Sequence, residues 1–78
     1  MKAEQAKILS AKAIKDTANP IIFIIETKIK NRISNAHFDT YYSLKGISDI
    51  VIEYIKQYFL ALGYTVGFDK NNLVISWD

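Results

Sequence analysis

Residues 62–77 read Leu-Gly-Tyr-Thr-Val-Gly-Phe-Asp-Lys-Asn-Asn-Leu-Val-Ile-Ser-Trp. Tyr64, Val66 and Phe68 occupy alternate positions, and so do Leu73, Ile75 and Trp77. A period of two belongs to half-buried strands. Between the runs lies Asp69-Lys70-Asn71-Asn72, where Asn and Asp tolerate turn geometry and bond their own backbone. The stretch is expected to form a β-hairpin with a four-residue loop or a close variant. Gly63, just ahead of it, suits the left-handed residue that closes a helix.

Working outward, that helix is expected over 49–62. Ser48 is its N-cap, Asp49 sits in the first turn, and Ile47 and Ile52 have hydrophobic-staple spacing. Val51, Ile55, Tyr58 and Leu62 form its buried face. Upstream, Phe38, Thr40, Tyr42 and Leu44 alternate with Asp39, Tyr41, Ser43 and Lys45, a strand that Gly46 ends. Further upstream, Ile22, Ile25, Ile29, Ile33 and Ala36 follow helical steps and predict a helix from about 20 to 36. The rival reading is a buried strand at 21–25, given five β-formers in a row; the longer stripe favours helix. Residues 1–18, rich in Ala and Lys, predict a first helix with a thin apolar stripe. Asn19-Pro20 is read as the break between the two, because a residue before proline is driven out of the helical region.

The predicted order is α-α-β-α-β-β in an α+β fold. Each helix has one apolar stripe and each strand one apolar face. Helices on one face of a small, three-stranded, mainly antiparallel sheet bury all of them. Leu73–Trp77 is expected in the centre. The expected core is Ile22, Ile25, Ile29, Phe38, Val51, Ile55, Leu62, Val66, Ile75 and Trp77.

Composition narrows the chemistry. At 78 residues and 8.9 kDa the chain has room for one domain, read as spanning 1–78 with residues 1–18 loosely attached. Half the residues are apolar, so a packed core is within reach and general disorder is not expected. No cysteine is present, which removes disulfides, thiolate nucleophiles and cysteine metal sites. With one histidine and three glycines, metal clusters and glycine-rich phosphate loops are not expected either, and no cofactor is implied. Net charge is +2, split as +4 over residues 1–32 and −2 over residues 33–78. Charged residues from Lys2 to Lys7 leave no signal-peptide core, and the longest apolar run is Ile21–Ile25. A bilayer span takes roughly 20 residues, so a soluble chain with no membrane partner is expected. The lack of cysteine suits a reducing cytoplasm.

Three groups of side chains invite a functional reading. His37 lies beside Ser34 and Asp39, as a general base with an orienting carboxylate would, though no nucleophile elbow surrounds it. An enzyme is not expected. Lys28 and Arg32, four apart on a helix, together with Lys30 are candidate phosphate contacts, and Tyr41 a stacking platform for a base. The third group is Tyr41, Tyr54, Tyr58 and Tyr64. Ten aromatics and thirteen isoleucines in 78 residues exceed what one small core hides, and tyrosines favour interfaces. These four are the candidate protein-binding residues.

The segments Leu62-Gly63-Tyr64-Thr65-Val66 and Leu73-Val74-Ile75-Ser76-Trp77, with Met1–Ala13 and Ile22–Ala36 ahead of them, resemble small tailed-bacteriophage proteins. Those carry an N-terminal Ala/Lys/Glu helix and a "GY-V … ISW" hairpin. Where they have a small-residue and glycine stretch after the second helix, this chain has Asn35-Ala36-His37-Phe38. The resemblance implies a non-enzymatic accessory or virion protein, in the host cytoplasm or assembled in a phage particle. It carries no catalytic residues to transfer. Protein–protein binding, with self-association, is the leading expectation. Nucleic-acid or nucleotide binding through the basic face of the second helix is the alternative.

Overall fold

In the computed structural model, which describes residues 1–78, a single helix α1 (Ala3–Ser34) runs straight through Pro20. The expected break at Asn19-Pro20 is absent, and the order is α-β-α-β-β rather than α-α-β-α-β-β. The reason lies in the stripe. Ala18, Ile22, Ile25 and Ile29 are all buried at steps of four, three and four, so the stripe continues across the proline. Pro20 is exposed and, at about 100° per residue, projects away from that stripe. Proline removes the donor for the Asp16 carbonyl, which lies on the same water-facing side and can be hydrated there. Burial of Ala18 and Ile22 on either side outweighs the local bias.

The other elements are β1 (Asp39–Ser43), α2 (Asp49–Ala61), β2 (Thr65–Asp69) and β3 (Asn72–Ser76). Both helices close with the same device. After α2, Tyr64 N–H donates to the Phe59 carbonyl and Gly63 N–H to the Leu60 carbonyl, with Gly63 at φ +94°. After α1, His37 N–H donates to Arg32 and Ala36 N–H to Ile33, with Ala36 at φ +60°. Each is a Schellman closure, the first on the expected glycine and the second on a strained alanine. Ser48 is the N-cap of α2 as expected, but its hydroxyl makes no capping hydrogen bond.

The sheet is antiparallel throughout, in the order β1-β3-β2, so Leu73–Ser76 lies in its central strand as the sequence predicts. The hairpin loop is tighter than expected. Asp69 pairs with Asn72, leaving a two-residue turn in which Lys70 takes φ +57°. Register places Thr40–Ile75–Val66 and Tyr42–Leu73–Phe68 in rows on one face. That face carries the buried sheet residues Thr40, Leu73 and Ile75, and both helices cover it. The other face, with Tyr41, Val74 and Gly67 in its middle row, is open.

The core is Ala18, Ile22, Ile25, Ile29, Val51, Ile55, Phe59, Leu73 and Ile75. Four expected core residues are not in it, and two of these are exposed. Leu62 is 58% exposed because it is the C-cap of α2, where the chain has left the helical path. Phe59, four residues after Ile55, takes the buried position instead. Phe38 is 60% exposed because it precedes the first residue of β1, beyond the cover of the helices. Val66 and Trp77 are half-buried against the core.

Candidate interaction surface

The N-terminal part of α1 extends past the body of the domain. Residues 1–13 are all exposed, and the molecule measures 51 × 23 × 18 Å. Its radius of gyration is 14.1 Å, against about 11.5 Å for a compact chain of this length. Thirty-two helical residues at 1.5 Å each give a rod of about 48 Å, which accounts for the long axis.

The rod is apolar on two sides. One side carries Ala18, Ile22, Ile25 and Ile29 into the core. The opposite side carries Ala6, Leu9, Ala13, Pro20 and Phe23 at steps of three, four, seven and three, with Ile24 next to Phe23; Asp16 and Thr27 interrupt it, and nothing in the fold covers it. Phe23 is 71% exposed and Ile24 is 44% exposed. The run Ile21–Ile25 thus belongs to a helix, with Ile22 and Ile25 directed into the core and Phe23 and Ile24 into solvent. Across the whole chain, twelve large hydrophobics are exposed, while nine hydrophobic residues are buried. The signal for this surface was present in the sequence: five consecutive apolar residues on a helix must overflow a single stripe.

The four candidate tyrosines do not gather into one patch. Tyr58, Phe59, Tyr64 and Trp77 form an edge-to-face chain, with ring centroids 5.2, 5.6 and 6.2 Å apart in that order. Tyr54, Tyr58 and Tyr64 are half-buried against the core. Tyr41 stands on the open face of the sheet. Four of the ten aromatics thus close the end of the core around Phe59.

The cationic candidates are also divided. Arg32 Nε donates to the Asp39 carbonyl at 2.9 Å, and its Nη2 bonds the Asp39 carboxylate at 3.2 Å. Lys28 Nζ donates to the Tyr41 carbonyl at 3.1 Å and lies 5.5 Å from the centre of the Tyr42 ring. Leu44 N–H bonds Asn71 and Trp77 N–H bonds Phe38, so the even-numbered residues of β1 face β3. The carbonyls of Asp39 and Tyr41 consequently point to the free edge, and Arg32 and Lys28 cap them. Charged groups on an edge strand block its extension by another strand. Lys30 is exposed and lies on a different side of α1. Lys28, Asn31, Arg32, Thr40 and Tyr41 line a shallow recess, but its two cations already have partners.

His37 is exposed at the α1 closure. Ser34 Oγ donates to the Lys30 carbonyl at 3.1 Å and the Asp39 carboxylate is paired with Arg32, so the two neighbours are engaged elsewhere. No group of three or more His, Asp or Glu side chains is placed to hold a metal ion. No helix is long and apolar enough to cross a membrane.

No protein-family model matches this chain, no curated protein is similar to it at a significant level, and no solved structure matches its fold at a significant level.

Proposed function

We propose that this chain is a small non-enzymatic protein that acts by protein–protein binding through the outward side of α1. The observation that supports the reading is the pair Phe23 and Ile24, held in solvent next to Pro20 on a helix whose other side is already packed. Adjacent large apolar side chains held in solvent are what an association site offers a partner. A projecting rod with small and large apolar residues at helical spacing suits docking into a groove or against another helix. The resemblance to small tailed-phage proteins adds the setting: a virion component or an inhibitor of a host factor, working as an oligomer. The nucleic-acid alternative draws less support, because Lys28 and Arg32 are committed to the β1 edge and Lys30 stands apart.

The test is capture of partners from bacterial lysate on immobilised wild-type protein and on a Phe23→Asp/Ile24→Asp variant, with quantification of each retained protein. A discrete partner should bind the wild type in stoichiometric amount and be lost from the variant. Retention of the same proteins by both would exclude this surface. Salt-sensitive recovery of nucleic acid that Lys30→Ala weakens would favour the alternative.

A further inference from the structure

The two edges of the sheet are treated differently. The edge of β1 is capped by Lys28 and Arg32. The edge of β2 has no such cover. Odd-numbered residues of β3 bond β1, so Asn72, Val74 and Ser76 bond Asp69, Gly67 and Thr65 on β2. That leaves the N–H and C=O groups of Val66 and Phe68 pointing outward, with no proline and no lysine between Thr65 and Asp69. Phe68 is 55% exposed on the helix-covered face. Gly67, between Val66 and Phe68, has open space on its side-chain face: a Cβ built there meets nothing within 4 Å.

We propose that the β2 edge pairs antiparallel with β2 of a second copy, about a two-fold axis between the two Gly67 residues, giving a continuous six-stranded sheet. The strand is self-complementary in this register. Val66 of each copy faces Phe68 of the other, so both outward residues of both chains are used and four backbone hydrogen bonds form. A shift by two residues sets Phe68 opposite Tyr64, whose N–H is already bonded to Phe59, or Val66 opposite Lys70 in the turn. Side chains agree with the pairing. Phe68 of one copy covers Val66 of the other on the helix face. On the open face Asp69 meets the Thr65 hydroxyl, a donor opposite a carboxylate, and no like charges fall opposite each other. A free edge would otherwise be a site of unregulated aggregation. This inference rests on reading the chain as an associating protein, but it concerns a surface distinct from α1.

The chain contains no cysteine, which permits a register test by single substitutions. Facing residues in a non-hydrogen-bonded pair have Cα atoms about 4.5 Å apart, within disulfide range. Under mild oxidation Gly67→Cys should form a covalent dimer on a non-reducing gel. Thr65→Cys should not, since its two copies would lie more than about 12 Å apart. In sedimentation over a concentration series, the wild type should dimerise. Phe68→Lys should raise the dimer dissociation constant by about tenfold or more with unchanged circular dichroism. A wild type that stays monomeric at all concentrations overturns the inference, as does a dimer indifferent to Phe68→Lys, or equal cross-linking by both cysteines. A dimer lost in Phe23→Asp/Ile24→Asp but kept in Phe68→Lys overturns it while leaving the α1 surface intact. The converse result refutes self-association through α1 and upholds the edge.

Discussion

Replacing Pro20 with alanine should stabilise the protein. Pro20 sits inside α1, fourteen residues before the helix ends, and is exposed. In a helix interior proline is about 3 kcal/mol less favourable than alanine, because it lacks the donor for the carbonyl four residues back and crowds it. Here that carbonyl belongs to Asp16. Alanine restores the hydrogen bond. Against this, proline restricts the unfolded chain, and removing it returns about 0.4–1 kcal/mol to the unfolded state. The net gain is roughly 2 kcal/mol, sizeable beside a total of about 4–12 kcal/mol for a domain of this length. The gain should register in global unfolding rather than in local fraying, since Ala18 is buried on the N-terminal side of the proline. Urea denaturation followed by circular dichroism at 222 nm should show it, and Tm should rise by roughly 8–16 °C. Unchanged or reduced stability would refute the reasoning. It would mean that the helix is broken at Asn19 and that Pro20 opens a second helix, where proline is favoured.

The register of α2 makes a contrasting pair of expectations. Phe59→Ala removes a fully buried ring with edge-to-face contacts to Tyr58 and Tyr64, and should destabilise by about 3–5 kcal/mol. Leu62→Ala, at an exposed C-cap, should cost under about 1 kcal/mol in the same denaturation experiment. Ala36→Gly relieves an alanine held at φ +60° and should add about 1 kcal/mol, visible as a higher Tm. Lys28→Ala/Arg32→Ala uncovers the outward carbonyls of Asp39 and Tyr41. It should destabilise by about 1–2 kcal/mol, discounted for partial exposure, and increase light scattering on storage as the β1 edge opens.

Much of the fold was legible in the residues because local signals and tertiary demands agree there. The Gly63 closure, the alternation in both arms of the hairpin and the central place of Leu73–Trp77 all follow from short-range chemistry that the fold reinforces. Pro20 was misleading because a local steric preference was opposed by a buried stripe extending on both sides of it. The clue lay in the four-residue step from Ala18 to Ile22. Tyr58 and Leu62 gave a plausible stripe on α2, yet Val51, Ile55 and Phe59 are the residues buried. Leu62 comes after the last helical turn, and a helical projection does not hold beyond the cap. For the site, the excess of isoleucine pointed correctly to uncovered apolar surface but did not locate it. Tyrosines were the natural choice from interface statistics; the exposed apolar pair Phe23 and Ile24 sits on α1, facing away from the body. Lys28 and Arg32 looked like free cations because sequence spacing does not reveal that two backbone carbonyls of β1 point at them.

The central claim is that α1 holds the fold with one side and leaves the other for association. Adjacent residues on opposite sides test it most directly: the unfolding free energies of Ile24→Ser and Ile25→Ser measured side by side. Ile25 is fully buried and Ile24 is 44% exposed. Ile25→Ser should lose about 3 kcal/mol or more, and Ile24→Ser should change by less than about 1 kcal/mol. Equal losses at the two positions would mean that Ile24 is part of the core, and α1 would have no apolar side to offer a partner.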